Sequence, residues 1–452
     1  MTNSILPKGS PKKILAEYTW QREQRLPRIV IVGGGAGGLE LATKLGKKLG
    51  KRHLAQIILV DSSTTHIWKP LLHEVAAGTL DSNHDALPYL FYANHHHFEF
   101  CLGTLDGLDR MNKTIKLASI QDEARQEVVP DRNISYDILV LSVGSSVNDF
   151  ATPGVKEHCF FLDRRSQSNY FHQAFIQNLL RLAHQKNESK QLPFTIAVVG
   201  GGATGVELIA ELHYSLTQLT HCGLRINPED VSLILIEAAE RILAPLHPTI
   251  SNMVSKDLQS KQITLHVSTR VCNVTSSGLY TQLNEFIPAN MIVWSAGIKA
   301  PDVLAMLDNL EVNRNNQLLV KQTLQTTLDE TIFAFGDCAS CPQGDNTFVP
   351  ARAQAAHQQA SFLVRALGAY LKKKPLPLYW YNDYGSLISL GQHNSVGHVL
   401  TKNKIMKGKI ARFAYWSLYK MHQTALHGAW RVALFTIANI LSGGKKQRVK
   451  LH

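Results

Sequence analysis

Two glycine-rich stretches have the residue types and spacing needed to bind a pyrophosphate. The first, "RIVIVGGGAGGLELA", covers residues 28–42, and the second, "TIAVVGGGATGVELIA", covers residues 195–210. Each contains a G-x-G-x-x-G motif between an apolar β-rich run and a helical pattern. The first glycine permits a tight turn, the second leaves room for a phosphate at backbone N–H groups, and the third lets helix and strand pack closely. The motif glycines are Gly33, Gly35, Gly38, Gly200, Gly202 and Gly205.

An acidic residue ends the strand that follows each turn. Asp61 ends "AQIILVD", and Glu237 ends "SLILIE". A carboxylate at this position accepts hydrogen bonds from ribose hydroxyls. Glu237 would also repel a 2′-phosphate, so the sequence predicts NADH rather than NADPH. Because both units are complete, a decayed second copy is disfavoured, and we expect two bound dinucleotides.

A third candidate contact lies far downstream, in "ETIFAFGDCA" (residues 330–339). Here an apolar strand stops at Gly336–Asp337. Asp337 can face a chain of hydroxyl groups while neighbouring backbone N–H groups meet phosphate. The alternative is that Asp337 only caps the end of the strand.

Together these segments resemble the flavoproteins that have two dinucleotide-binding domains, of the glutathione-reductase type. The resemblance implies FAD at the first motif, NAD(P)H at the second, and Asp337 at the flavin ribityl chain. "LVLSVGS" (139–145) and "IVWSAGIKAP" (292–301) are similar to the strand–glycine turns at which these domains touch their cofactors. Besides the motif glycines and the three acids, the predicted cofactor contacts are Ala36, Gly37, Lys69, Gly144, Gly336, Ala203, Thr204, Ala296 and Gly297.

Cysteine positions narrow the choice within this family. No cysteine precedes Cys101 and no C-x-x-C comes directly after the second motif, which argues against a disulfide reductase. Cys159 with Cys338 or Cys341 could imitate a sulfide:quinone reductase, but such enzymes have no use for NADH. "CASC" (338–341) cannot alone complete a four-ligand metal site, so we favour structural thiols and predict no metal.

Five stretches closely resemble bacterial type II NADH:quinone oxidoreductases, and the resemblance runs from Arg28 to His452. It implies that Gln354 and Gln358 match the family's A-Q-x-A-x-Q pattern at the quinone side of the flavin. It also implies that Glu207 is the family's glutamate near nicotinamide and flavin. The stretches are "WKPLLHEVAAGTLD" (68–81), "GGGATGVELIAELH" (200–213), "FGDCASCP" (335–342), "ARAQAAHQQA" (351–360) and "ARFAYWSLYKMHQTALHG" (411–428).

The chemistry of "ARAQAAHQQA" agrees with this resemblance. Gln354 and Gln358 stand at i and i+4 of one helix, so they point the same way and can donate to a quinone carbonyl. His357 can serve as a proton donor. Without the resemblance, a solvated polar helix face is the favoured alternative.

The basic residues concentrate at the C-terminus. The net charge is +12, and residues 384–452 contain eleven Lys or Arg and no Asp or Glu. Interfacial side chains alternate there with cations, which is typical of helices lying in the plane of an anionic membrane. The alternatives are a helical hairpin packed on the protein's own core or on a second subunit; nucleic acid is disfavoured. We predict two helices with a break near Gly428. The interfacial side chains are Phe413, Trp416, Leu418 and Tyr419, and the cations that flank them are Lys404, Lys407, Lys409, Arg412 and Lys420.

We therefore predict an α/β fold with two Rossmann-like dinucleotide-binding domains and a C-terminal amphipathic helical membrane-anchoring region. The expected activity is FAD-dependent NADH:quinone oxidoreduction without proton pumping, on the cytoplasmic face of a bacterial inner membrane, with a homodimer left open. The rivals are a soluble NADH-dependent ferredoxin-type reductase and an NADH-sensing flavoprotein. The predicted divisions are an N-terminal extension (1–27), the FAD-binding domain (28–165 and 301–372), the NADH-binding domain (190–300) and the membrane-association domain (373–452).

Overall fold

A computed structural model describes most of the 452-residue chain. The described residues are 26–82, 86–122, 124–185, 193–221, 226, 228–344, 346–391, 394–399, 405–427, 430, 432–434 and 436–437. The predicted extension lies almost wholly outside this set. So do Lys404, the predicted break at Gly428, the terminal basic segment and the side chains of Lys409, Trp416, Leu418 and Tyr419.

Twelve strands and nine helices of the described chain position the site. The strands are β1 (Arg28–Val32), β2 (Gln56–Asp61), β3 (Glu99–Leu102), β4 (Ile138–Leu141), β5 (Phe194–Val199), β6 (Val231–Ile236), β7 (Thr264–His266), β8 (Met291–Trp294), β9 (Ile332–Ala334), β10 (Gly385–Ser389), β11 (Ser395–Val399) and β12 (Ile405–Lys407). The helices are α1 (Ala36–Lys48), α2 (Leu72–Ala77), α3 (Tyr89–His96), α4 (Val155–His158), α5 (Arg165–Gln185), α6 (Ala203–His221), α7 (Pro248–Ser260), α8 (Ala353–Tyr370) and α9 (Gly408–His427).

Further strands and short 3-10 helices fill the connections. The strands are Thr65–His66, Leu87–Pro88, Leu105–Asp109, Thr114–Leu117, Ile120–Gln121, Glu127–Val129, Arg132–Ser135, Ser146–Val147, Val271–Thr275, Gly278–Thr281, Phe286–Pro288, Ile298–Lys299, Leu318–Leu319, Ala339–Ser340, Pro342–Gly344 and Thr347–Phe348. The 3-10 turns are Gly50–Arg52, Lys69–Leu71, Pro228–Asp230, Asp302–Met306 and Gly336–Cys338.

The first sheet has the strand order β9-β4-β1-β2-β3, with parallel neighbours. Its central strand, β1, is buried along its whole length, as continuous apolar runs in parallel sheets require. Strand β9 comes from nearly 200 residues downstream and pairs Ile332 with Leu139. The 330–339 stretch and the first glycine motif therefore meet at the carboxyl ends of one sheet, where open α/β sheets bind ligands.

The second sheet repeats this plan in the order β7-β6-β5-β8, again with parallel neighbours. Strand β5 leads into the second glycine turn and then into α6, as β1 leads into α1. The strand–turn–helix–strand order predicted for both units is present, and the predicted α/β fold is confirmed. Each sheet has its own apolar core; the first contains Ile29 and Leu139, and the second Ile196 and Val206.

The C-terminal region differs from the prediction of helices alone. An antiparallel sheet of β10, β11 and β12 precedes α9. The segment 385–389, "GSLIS", is too short for its sequence to distinguish a strand from a helix. Its C-terminal end, at Ile388, is buried against the second core. Among the residues described, no helix is both long enough and apolar enough to cross a membrane.

Candidate active site

The first glycine turn has the shape that a phosphate cradle requires. Gly33 lies at φ +100°, which favours glycine, and a Cβ added to Gly38 would stand 1.8 Å from the carbonyl oxygen of Gly33. At Gly35 an added Cβ would meet no protein atom within 4 Å. The first and third glycines are thus needed by the fold, whereas the second leaves open space at the N-terminus of α1, where a phosphate can approach.

The second turn reproduces this geometry. Gly200 lies at φ +112°, and a Cβ on Gly205 would stand 1.9 Å from the carbonyl oxygen of Gly200. Gly202, like Gly35, faces open space. The two turns therefore offer matching room for two pyrophosphates.

A serine from the neighbouring strand end supports each turn. The Ser142 hydroxyl donates to Gly33 O at 2.8 Å, and the Ser295 hydroxyl donates to Gly200 O at 3.2 Å. Both serines belong to the "LVLSVGS" and "IVWSAGIKAP" stretches, so the sequence resemblance corresponds to a shared structural role.

The two strand-end acids are held in the same way. Asp61 accepts hydrogen bonds from Gly34 N at 2.6 Å and Ser63 N at 2.8 Å. Glu237 accepts them from Gly201 N at 2.6 Å and Ala239 N at 2.8 Å. Burial raises the pKa of the Asp61 carboxyl although these N–H groups oppose it. Each carboxylate is thus oriented beside its glycine turn.

The late acid meets the first domain through Ser145. The Ser145 hydroxyl donates to Asp337 Oδ2 at 2.9 Å, and its carbonyl accepts from Lys69 Nζ at 2.6 Å. Lys69 also pairs with Asp163 at 3.1 Å. The structure therefore brings Asp337 and Lys69 to the turn at Gly144, although they are distant in sequence.

The remaining predicted contacts lie at the same two places. Ala36 and Gly37 begin α1, and Ala203 and Thr204 begin α6. Gly144, Gly297 and Gly336 all have positive φ, at +73°, +66° and +74°. Ala296 packs so closely that a Cβ on Gly200 would lie 2.7 Å from its backbone nitrogen.

Helix α8 turns both predicted glutamines toward one segment. Tyr381 donates its hydroxyl to Gln354 Oε1. Gln358 donates to Asn382 O at 2.7 Å and accepts from Asn382 N at 3.0 Å. The two glutamine side chains point the same way, as predicted. The Gln358 amide, however, is already hydrogen-bonded to the backbone of Asn382. Gln354, whose oxygen accepts from Tyr381, retains its amide nitrogen as the donor available to a ligand.

His357, between these glutamines, faces α1. Its Nδ1 lies 2.5 Å from Glu40 Oε2. The other Glu40 oxygen lies 2.5 Å from Lys44 Nζ, and Lys44 Nζ donates to Ser361 Oγ at 2.8 Å. Burial alone would raise the pKa of Glu40, but His357 and Lys44 outweigh it and lower that pKa.

Glu207 lies where α6, α2 and the C-terminal sheet meet. Its Oε1 accepts from Ser389 N at 2.9 Å, and its Oε2 lies 3.8 Å from His73 Nδ1. Burial raises the pKa of Glu207 to about 8 and lowers that of His73 to about 4. Arg412 of α9 reaches this cluster by donating to Ser389 Oγ at 2.9 Å.

The "CASC" cysteines have the surroundings of structural thiols. Cys338 and Cys341 are fully buried, and burial raises their pKa values to about 11 and about 12. Protonated thiols are poor nucleophiles and poor metal ligands. Within the described ranges, no group of three or more His, Cys, Asp or Glu side chains is arranged to hold a metal ion.

Sequence reasoning missed Glu40, His73, Tyr381 and Ser389, and it assigned Arg412 to the membrane-facing cations, whereas the structure places Arg412 against Ser389. A signal existed for Glu40, which follows Gly33 by the same seven residues that separate Glu207 from Gly200. Aligning the two internal copies would have pointed to it. The other four come from distant segments that only the folded chain brings together.

Comparison with known proteins identifies relatives over nearly the whole chain. Residues 27–360 match the family model described as pyridine nucleotide-disulphide oxidoreductase. A type II NADH:quinone oxidoreductase of Haemophilus influenzae is 40% identical over 444 residues, covering 94% of this chain and 100% of the relative. A type II NADH:quinone oxidoreductase of Staphylococcus saprophyticus is 26% identical, and the match covers 85% of this chain and 92% of the relative.

Solved structures have the same fold. The NDH2 structure from Plasmodium falciparum in complex with NADH superposes with a TM-score of 0.80 at 19% identity, covering 94% of this chain and 100% of that one. The sulfide:quinone oxidoreductase of Aquifex aeolicus gives a TM-score of 0.68 at 16% identity, covering 93% and 96%. At these identities the likeness concerns the fold alone.

Proposed function

Because the chain belongs to the type II NADH:quinone oxidoreductases, within the pyridine nucleotide-disulphide oxidoreductase family, we propose which residues perform each part of that activity. The enzyme takes electrons from NADH through FAD to a quinone. The chemistry supplied by bound FAD is acceptance of hydride from NADH and transfer of two electrons to the quinone. The absence of proton pumping, which the sequence resemblance implies, is part of the proposal.

The observation that carries the assignment is the duplicated turn with open space at Gly35 and Gly202. The turn at α1 binds the FAD pyrophosphate, and the turn at α6 binds that of NADH. Asp61 and Glu237 face the respective riboses, and Asp337 faces the ribityl chain. The negative charge of Glu237 favours NADH because a 2′-phosphate at the same place would be repelled.

The quinone side is assigned to α8. Gln354 donates its amide nitrogen to a quinone oxygen while Tyr381 holds the amide plane. Gln358 holds the segment at Asn382 through two backbone hydrogen bonds, and this segment forms the opposite wall of the proposed quinone site. Glu207, as a buried carboxylic acid, holds a proton beside the two domains without placing a negative charge there.

Enzymes of this type are membrane-associated. We propose peripheral binding to the cytoplasmic face of the inner membrane through α9, which exposes Ile410 and Phe413 and follows the basic residue Lys407. Apolar side chains flanked by cations suit an anionic lipid surface. A homodimer stays a prediction from the sequence.

The test is a spectrum followed by an assay. We expect the purified protein to be yellow, to bleach when NADH is added anaerobically, and to regain its colour with a short-chain quinone. Bleaching without return would favour a ferredoxin-type reductase, and slow bleaching with negligible turnover on any acceptor would favour a redox sensor. A colourless protein that takes up no flavin would reject the whole assignment.

A further inference from the structure

The segment of residues 376–384, between α8 and β10, has buried and exposed side chains in alternation. Tyr379 and Tyr381 are 4% and 8% exposed, whereas Leu378, Trp380 and Tyr384 are 56%, 55% and 48% exposed. This alternation is that of an extended chain, in which successive side chains point to opposite sides. Leu378, Trp380 and Tyr384 therefore form a row of large side chains in contact with solvent, which we call the outer row.

The inner side of the same segment belongs to the proposed quinone site. Tyr381 donates its hydroxyl to Gln354, and the backbone of Asn382 exchanges two hydrogen bonds with Gln358. The two glutamines of α8 and the outer row thus lie on opposite sides of a single chain segment.

Cations accompany the outer row. Lys372, Lys373 and Lys374 directly precede the segment, and all three are exposed. Residues 372–384 contain these three lysines and one acidic residue, Asp383, which pairs with Arg352 at 3.7 Å. Positive charge beside exposed Trp and Tyr side chains is typical of a surface that lies among the headgroups of an anionic bilayer.

An open cavity of about 610 Å³ lies beside the outer row, between this segment, α1 and α8. Its wall combines the apolar side chains of Phe362, Leu378 and Trp380 with the exposed cation Arg365. A phospholipid has the matching groups, since its headgroup is anionic and its acyl chains are apolar. Among the residues that line the cavity, the only carboxylate is Glu40, and it is paired with Lys44.

We propose that the outer row, together with Lys372, Lys373 and Lys374, forms a second lipid-binding surface, at which the enzyme takes quinone directly from an anionic bilayer. This surface is separate in sequence from α9. Quinone then passes between the lipid and Gln354 alongside one chain segment rather than through water. The place of the quinone at α8 rests on the proposed function, whereas the lipid contact does not depend on it.

Hydroxyl-radical footprinting, read by peptide mass spectrometry, tests the contact on the unmodified protein. We expect phosphatidylglycerol vesicles to protect Leu378 and Trp380 from oxidation, while Met111, 92% exposed on the first domain, oxidises at an unchanged rate. Phosphatidylcholine vesicles should protect Trp380 less, because they carry no net negative charge for the lysines.

Two footprints would overturn the second surface. In one, Phe413 on α9 becomes protected by vesicles and Trp380 does not, so lipid contact is made by α9 without the outer row. In the other, Trp380 already oxidises slowly without vesicles, so another part of the chain or a second copy covers it.

Removal of charge tests the surface at fully exposed positions, where folding is not at risk. Lys372→Gln with Lys374→Gln should bind phosphatidylglycerol vesicles about thirtyfold more weakly, at about 1 kcal/mol for each lysine. The control, Lys116→Gln with Lys156→Gln, removes the same charge from exposed lysines elsewhere and should stay within about twofold of the wild type, since salt screens distant charges. Equal losses in the two pairs would indicate attraction by net charge alone and contradict a defined surface.

The last test measures quinone entry in Leu378→Glu with Trp380→Glu. The ratio of kcat/KM for a long-chain quinone in phosphatidylglycerol vesicles to that for a short-chain quinone in solution should fall at least about tenfold. Anaerobic bleaching by NADH checks that the variant is folded and loaded with flavin. An unchanged ratio would exclude quinone entry at the outer row while the proposed function stands. If the wild type reduces neither quinone, the proposed function fails, and the footprint of Trp380 still decides the lipid contact.

Discussion

Glu207 is a buried carboxylic acid whose proton is part of the folded state. Its pKa is about 8 in the protein and 4.5 ordinarily, so the folded form binds more protons between those values. Its contribution to the free energy of unfolding is therefore full below pH 4.5 and is lost as the pH rises to 8. His73 and His66, whose pKa values burial lowers to about 4, act in the opposite sense, with stability lost as the pH falls below about 6.5.

Between pH 6.5 and 8 the effect of Glu207 is the difference between the wild type and Glu207→Gln, because the buried histidines act equally in both proteins. At about 1.4 kcal/mol per pH unit, the wild type should lose about 1.5–2 kcal/mol of unfolding free energy relative to Glu207→Gln across this interval. Glu207→Gln should lose much less, because an amide binds no proton in this range. Urea unfolding at the two pH values measures the difference, with Glu99→Gln as the exposed control. Parallel losses in all three proteins would contradict the protonated state of Glu207.

We propose that Glu237 sets the choice between NADH and NADPH. Its carboxylate also braces the turn through Gly201 N and Ala239 N. Glu237→Gln is therefore a more specific test than removal of the side chain, because the amide keeps an accepting oxygen and loses only the charge. The ratio of kcat/KM for NADH to that for NADPH should fall about tenfold, which corresponds to about 1.4 kcal/mol. An unchanged ratio in steady-state assays would remove Glu237 from the ribose site.

The position of a site residue could be predicted from the sequence where its partners lie close to it in the chain. Asp61 and Glu237 end strands that directly follow recognisable turns, so their positions could be deduced. The pairing of Glu40 with His357, or of Glu207 with His73, joins residues more than 100 positions apart. No pattern within one element reports such a contact, and so these pairs appear only in the folded chain.

At the scale of elements, the two glycine turns offer matched substitutions. A Cβ on Gly38 would stand 1.8 Å from a backbone oxygen, and one on Gly205 would stand 1.9 Å from its counterpart. Backbone cannot move away cheaply, so each turn must distort. Gly38→Ala should yield protein with little bound flavin, whereas Gly205→Ala should keep its flavin and need at least about tenfold more NADH to reduce it.

Visible absorbance per chain and an NADH titration measure these two effects. Gly107→Ala is the matched control, since its Cβ would lie 3.5 Å from the Lys116 side chain, an ordinary contact. Both motif variants losing flavin equally would argue against one cofactor per turn.

Elements with a clear period were predictable, and those built from short or distant pieces were not. The strand–turn–helix units of both domains follow from continuous apolar runs and helical stripes. The sheet of β10, β11 and β12 was missed because its strands of five, five and three residues carry no strong alternation. The pairing of β9 with β4 was not predicted, since nothing in either strand's sequence indicates a partner nearly 200 residues away; the resemblance implied only that Asp337 lies at the flavin.

At the scale of the whole molecule, helix α9 connects the proposed lipid-binding face to the buried Glu207. Arg412 on α9 donates to Ser389, whose backbone nitrogen in turn donates to Glu207. The same helix exposes Ile410 and Phe413. One face of α9 thus contacts the segment that is hydrogen-bonded to Glu207, and the other is the face that we propose contacts lipid.

Substitution on the outward face of α9 tests this without disturbing the buried one. Ile410 and Phe413 are 70% and 68% exposed, so Ile410→Glu with Phe413→Glu should leave the fold intact. If these two apolar side chains are buried in lipid, each contributes about 1.5–3 kcal/mol, so the variant should bind phosphatidylglycerol vesicles at least about a hundredfold more weakly. Reduction of a short-chain quinone in solution should stay near the wild-type rate. Met111→Glu with Phe150→Glu, at positions 92% and 60% exposed on the first domain, should cosediment with the vesicles like the wild type. If the α9 variant also cosediments normally, lipid contact is made by another surface, since a face carrying two carboxylates cannot enter an anionic bilayer at neutral pH.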